Sequence, residues 1–143
     1  MSSKQQKRLF IIDGYATLYR SHYALIRNPL TNTAGTPTSA VFGFANQVFQ
    51  LIEDENPDYL VAAFDSKGKN FRHDIYEEYK ANRSECPEDL VPQFNLIRSA
   101  ADAFGIPQVE AKGFEADDVI ATLATTSCQA GMNVDIYSSD KDL

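Results

Sequence analysis

The residues here whose types and positions carry chemistry are acids: Asp13, Asp65, Glu115, Asp117, Asp118, Asp140 and Asp142. Three of them fall within four residues, in Gly113-Phe114-Glu115-Ala116-Asp117-Asp118. Acidic residues in the first turn of a helix are common, because they complement the positive end of the dipole and the unpaired amides there. Taken alone, the cluster has that ordinary explanation. Clustered carboxylates also repel one another, and a protein tolerates them best when a divalent cation sits among them. The choice depends on where the other acids stand.

The elements that must position them follow from hydrophobic patterning. Arg8-Leu9-Phe10-Ile11-Ile12-Asp13-Gly14 reads as a buried strand ending in an acid and a glycine turn. A helix follows from about Tyr15 to Ile26, then a loop rich in Thr, Asn, Gly and Pro from Asn28 to Pro37. Thr38 or Ser39 is placed to cap the next helix, whose apolar positions keep helical period to about Asn56, where Pro57 stops it. Tyr59 to Asp65 repeats the first pattern, a buried strand and then an acid. Glu88 to Phe104 reads as a helix ended by Gly105 and Pro107, and a short strand lies around Pro107 to Glu110. In the helix after the acidic cluster, Glu115 and Asp118 share a face and Asp117 points elsewhere. Gly131 caps its C-terminus, and Asn133 to Tyr137 is a fourth strand running into Ser138-Ser139-Asp140-Lys141-Asp142.

Strands alternating with helices predict an α/β fold with a mostly parallel central sheet and helices on both faces. Sites in such sheets form beyond the carboxyl ends of the strands. Asp13, Asp65 and Asp140 all occupy that edge, and the helix bearing Glu115, Asp117 and Asp118 starts there. One aspartate after a strand is ordinarily a cap or turn former. Three at one edge, together with the acidic cluster and Asp142, favour a metal site. All-oxygen ligands suit magnesium or manganese rather than zinc. Two such ions roughly 3.5–4 Å apart activate a water and stabilise both the attacking and leaving oxygens of a phosphodiester. No nucleophilic Ser, Cys or His stands out, and no glycine-rich phosphate loop with its lysine is present.

Between positions 67 and 83, Lys67, Lys69, Arg72, Lys80 and Arg83 interleave with Phe71, Tyr76 and Tyr79. Such a stretch can grip phosphates and stack on bases. Asp74, Glu77 and Glu78 keep the alternative open, an amphipathic helix with a solvated charged face. The net charge of −7 does not decide between them, because setting the seven acids aside leaves 13 acidic against 13 basic residues. The 143 residues suit one domain with a real core. No apolar run approaches a membrane span or a secretion signal, so a cytoplasmic protein with no membrane partner is expected. Cys86 and Cys128 form no CxxC pair and are expected as free thiols. His22 and His73 lack zinc-ligand spacing and are expected at the surface or in hydrogen bonds.

Four segments in order resemble one known family: IIDGYATLYR from Ile11, FDSKGKNFRHDIYEEYKANR from Phe64, GFEADDVIATLA from Gly113 and YSSDKDL from Tyr137. They are similar to the 5′-nuclease or flap endonuclease family, to which the N-terminal domain of bacterial DNA polymerase I belongs. The resemblance runs from about Leu9 to Leu143. It implies a three-layer PIN-like α/β fold and cleavage, 5′ to 3′, of DNA flaps, nicks and RNA primers with two magnesium or manganese ions in the complete domain. The family's acidic positions match Asp13, Asp65, Glu115, Asp117, Asp118, Asp140 and Asp142. Asp13, Asp65, Glu115, Asp117, Asp118 and Lys80 are the implied catalytic set. The stretch around Arg72, Tyr79, Lys80 and Arg83 resembles the arch that admits the 5′ strand. Lys67, Lys69 and Arg20 join it as implied DNA contacts.

The same resemblance makes residues 1–143 the N-terminal part of a 5′-3′ exonuclease domain. The helix-hairpin-helix part and further metal-binding aspartates are then absent from this chain, and a polymerase domain is expected downstream in the parent protein. Weak or undetectable cleavage by the 143 residues alone is the corresponding expectation. A module of the same fold that binds DNA without cutting it is the alternative. A receiver-like signalling domain also clusters acids around magnesium, but it gives the basic aromatic stretch no role.

Overall fold

Along Arg8–Asp13 (β1) successive side chains turn to opposite faces of a sheet, and both faces are covered. Ile12 joins a core with Leu18, Phe44, Val48 and Phe64, whereas Leu9 and Ile11 pack with Ala63, Ala116 and Ile120. A strand buried on both sides has no use for polar residues, which is why it reads as an unbroken apolar run. The computed structural model describes residues 6–66 and 88–138. Within them, β1 pairs in parallel with Tyr59–Ala63 (β2) and Asn133–Tyr137 (β4), and β2 pairs in parallel with Gln108–Val109 (β3). The strand order is β3-β2-β1-β4.

Gly14–Ala24 (α1), Ser39–Glu55 (α2) and Gln93–Ala103 (α3) share the core that contains Phe64, and Ala116–Gln129 (α4) covers the opposite face. The result is the three-layer arrangement expected of the PIN-like fold. The chain runs outward from β1 to β3 and then crosses by α4 to the far side of β1. Its connections thus leave toward opposite faces, opening a crevice at the carboxyl ends of the strands.

Glycines end two helices as the sequence indicates. Gly131 (φ +89°) and Gly105 (φ +73°) take left-handed conformations just past α4 and α3. In each, the next residue donates back into the helix, Met132 N to Ser127 O at 3.1 Å and Ile106 N to Ala101 O at 2.9 Å.

Several expectations are corrected. The third helix starts at Gln93, not Glu88, and α1 ends at Ala24 rather than Ile26. Residues 88–92 form turns, with Val91 N donating to Glu88 O at 3.3 Å and Gln93 N to Leu90 O at 2.9 Å, and Pro92, which has no N–H to donate, stands at the N-cap of α3. Thr38 is the N-cap residue of α2, as expected, but its side chain makes no capping hydrogen bond. The Ser39 hydroxyl instead accepts from Leu30 N at 2.6 Å. The cap is supplied from α3, where fully buried Gln93 accepts from Ala40 N at 2.8 Å and Val41 N at 3.0 Å. His22 is buried on α1 against Tyr23 rather than at the surface. Cys128 is an exposed free thiol, and Cys86 and His73 lie outside the described residues. No helix among the described residues is long and apolar enough to cross a membrane.

Candidate metal and nucleic-acid site

β1 delivers Asp13 to the carboxyl edge of the sheet, where it is 4% exposed. Asp13 also caps α1, its Oδ1 accepting from Ala16 N at 3.4 Å. Its Oδ2 accepts from the Ser138 hydroxyl at 3.0 Å. That contact follows from register: Tyr137 lies opposite Ile12, so the next residue of each strand meets at the edge.

Asp65 stands two residues beyond Ala63, the last residue of β2. It accepts from Ala116 N at 2.7 Å, which ties the end of β2 to the first turn of α4. Ser66 reinforces the junction, its hydroxyl accepting from Gly113 N at 3.2 Å and donating to Phe114 O at 3.4 Å. Gly113 (φ +83°) makes the turn that lets α4 begin there. Glu115 is the N-cap residue of α4, not part of its first turn, and is 5% exposed. Asp118 reaches back to accept from Glu115 N at 3.1 Å, which is why these two acids face each other. Asp117 is half-buried in the first turn.

The ordinary explanation of these acids is therefore realised: Asp13, Asp65 and Asp118 all accept from backbone amides at helix starts. The same contacts bring Asp13, Asp65, Glu115, Asp117 and Asp118 to one edge of the sheet. Among the described residues no three His, Cys, Asp or Glu side chains come close enough together to hold a metal ion. The donor set fits a hard divalent cation, since every candidate ligand is a carboxylate oxygen and two of them are buried at the edge. Asp140 and Asp142 lie outside the described residues, as do Lys67, Lys69, Arg72, Tyr79, Lys80 and Arg83. Arg20 is exposed on α1, two turns from Asp13, or ~10 Å along the axis.

Sequence reasoning singled out the acids but not the groups that hold them. Ser66 and Ser138 each sit beside a predicted ligand, inside motifs already quoted. Arg98 is the other omission. Its position with Phe94, Ile97 and Ala101 on the buried stripe of α3 was the available signal, a cation where the period calls for an apolar residue.

A profile of the 5′-3′ exonuclease N-terminal resolvase-like domain matches residues 8–143. The chain belongs to this family. It is 47% identical over 148 residues to DNA polymerase I of Rhizobium leguminosarum, covering 98% of this chain and 14% of that protein. It is 46% identical to the 5′-3′ exonuclease of Aquifex aeolicus (strain VF5), covering 96% of this chain and 47% of that protein. The chain thus spans about half of the exonuclease and a much smaller share of the polymerase. The fold matches bacteriophage T5 5′-exonuclease with bound divalent metal ions (zinc), with a TM-score of 0.70 at 21% identity, covering 95% of this chain and 50% of that one. A T5 flap endonuclease in a pseudo-enzyme-product complex with DNA and metal ions gives a TM-score of 0.66 at 23% identity, covering 94% of this chain and 50% of that one. At those identities the two structures establish the shared fold.

Proposed function

We propose that this chain is the N-terminal part of a metal-dependent 5′-3′ exonuclease and 5′-flap endonuclease that hydrolyses DNA phosphodiesters. The observation that carries the reading is the placement of Asp13, Asp65, Glu115, Asp117 and Asp118 along the carboxyl edge of a parallel sheet, in a chain of the 5′-3′ exonuclease family. Asp13, Asp65, Glu115, Asp117 and Asp118 would hold magnesium or manganese, with Asp140 and Asp142 completing a second position. The ions, when bound, supply Lewis acidity and an activated water.

The chain's own residues do the rest. Asp65 fixes the start of α4 against β2, so the acids of both elements move as one. The Ser138 hydroxyl orients Asp13 through Oδ2. Lys80 is assigned to the reacting phosphate, and Arg20, Lys67, Lys69, Arg72, Tyr79 and Arg83 to the single-stranded 5′ end. The substrates are DNA with a 5′ flap, a nick or an RNA primer, acted on in the cytoplasm during replication and repair. A polymerase domain follows in the parent chain.

One observation favours a second reading, a DNA-binding module that does not cut: Asp13, Asp65 and Asp118 already accept from amides at helix starts, and no three of the acids converge on one point among the described residues. A 5′-labelled flap substrate decides between the two. It is incubated in magnesium or EDTA with the 143 residues and with the same residues in their natural continuation. Magnesium-dependent release of the flap by the longer chain, lost on replacing Asp117 and Asp118 by Asn, is expected, with much slower release by the shorter one. Binding without cleavage by the longer chain establishes the second reading.

A further inference from the structure

We propose that Arg98 is a positioning residue that sets the placement of Asp13 and Asp65 by clamping Tyr15 and Phe64, their near neighbours in sequence. Its importance for metal binding rests on the function proposed above; the clamp itself does not.

Arg98 reaches from α3 to the carboxyl edge of the sheet with a side chain 23% exposed. Its guanidinium carbon lies 3.8 Å from the centre of the Phe64 ring and 5.5 Å from that of Tyr15. Nε and Nη2 donate to the Tyr15 hydroxyl at 3.2 and 3.1 Å. Nη1 donates to Gln108 Oε1 and Glu110 Oε1, both at 3.3 Å. One planar cation therefore joins α1, the end of β2, β3 and the residue after β3. A lysine has neither the flat face for stacking nor the fork for donating in several directions at once.

Phe64 is fully buried and directly precedes Asp65, while Tyr15 lies two residues after Asp13. The two rings meet edge to face with centres 4.9 Å apart. Gly14, between Asp13 and Tyr15, is so close to Phe64 that a methyl on its Cα would overlap ring atom Cε1. Asp13-Gly14-Tyr15 and Phe64-Asp65 are thus packed as one unit. A close-packed interior transmits displacement instead of absorbing it. If the guanidinium is removed, both rings gain room, and the backbone of each aspartate goes with its ring.

The test has one readout without metal and one with it. The Ala116 amide donates to Asp65 at 2.7 Å, so its hydrogen exchange reports whether Asp65 is held. In metal-free protein Arg98→Met keeps the stem against Phe64 but removes the fork. Ala116 exchange is expected to rise about tenfold, while the buried Val48 amide of α2 keeps its rate, which separates positioning from general loosening. Outer groups that orient ligands are worth about 10–100-fold in metal affinity. Acting through two rings, Arg98→Met should weaken manganese binding by calorimetry toward the lower end, about tenfold. Arg98→Lys should fall between it and the parent. Tyr15→Phe, which removes only the shared hydroxyl, gives the same direction of change if Arg98→Met fails to fold. Faster Ala116 exchange in a protein whose parent binds no manganese supports the clamp and refutes the proposed metal site. Unchanged Ala116 exchange in both Arg98→Met and Tyr15→Phe overturns the proposal, as does unchanged manganese affinity in a parent that binds it.

Discussion

Asp65 is assigned two tasks, capping α4 and binding metal, and paired substitutions separate them. Its carboxylate accepts from Ala116 N at 2.7 Å in a part-buried setting. A hydrogen bond to a charged group contributes ~1.5–3 kcal/mol net, and loss of a helix N-terminal cap costs ~0.5–2 kcal/mol. Asp65→Ala should therefore destabilise the metal-free chain by about 2 kcal/mol. At ~2–4 °C per kcal/mol for a domain of this size, the melting temperature falls by about 4–8 °C. Asp65→Asn keeps an oxygen that can accept from Ala116 but loses the charge, roughly halving the bond. Relief of repulsion from Glu115, Asp117 and Asp118 offsets part of that loss. The Asn variant should stay within about 1 kcal/mol of the parent. Both variants should lose manganese affinity together. Thermal melts followed by circular dichroism in EDTA, then calorimetric titration, measure the two effects. The reasoning is refuted if Asp65→Ala melts with the parent, or if Asp65→Asn falls as far as Asp65→Ala.

Gly14→Ala should destabilise the chain by about 1–3 kcal/mol in urea unfolding, because the new methyl overlaps Phe64 between Tyr15 and Arg98. An unchanged midpoint would show that the ring yields freely. Gln93→Ala should cost at least about 3 kcal/mol by the same measurement, since it strips partners from the Ala40 and Val41 amides and leaves a hole. A loss below about 1 kcal/mol would mean water replaces the cap. Neutralising Lys80 or Arg83 should weaken binding of single-stranded 5′ ends regardless of sequence and flatten its salt dependence by about one unit of slope. Tyr79→Ala should cost about 1–3 kcal/mol with little change in slope. Unchanged slopes for both basic variants would assign the stretch to an ordinary solvated face.

What the sequence made legible is what neighbouring residues decide. Leu9 to Ile12 reads as a doubly covered strand because burial on both faces writes itself as a continuous apolar run. Gly105 and Gly131 mark helix ends because the left-handed conformation selects glycine. Thr38 was legible as the N-cap position of α2, but the side chain that accepts from the first amides is Gln93, distant in sequence and beyond the reach of local pattern. Pro92 marks where α3 begins, since a residue with no N–H to donate is tolerated only at a helix start. Asp13, Asp65 and the acids at the start of α4 were legible as neighbours of one sheet edge, since each follows a strand or begins a helix. Their holders were not: the bonds donated by the Ser138 hydroxyl to Asp13 and by the Ala116 amide to Asp65 depend on strand order and register, which periodicity does not contain. Arg98 acts through Tyr15 and Phe64, three segments that meet only in the folded chain.

Calorimetric titration of manganese into the chain, alongside Asp117→Asn/Asp118→Asn, tests the proposed metal-binding edge most directly. Saturable binding by the parent should weaken sharply in the double variant. Without metal, the variant should be as stable as the parent or more so, because like charges have been removed from one helix end. Equal manganese affinity in the two proteins would contradict a site shared by these carboxylates.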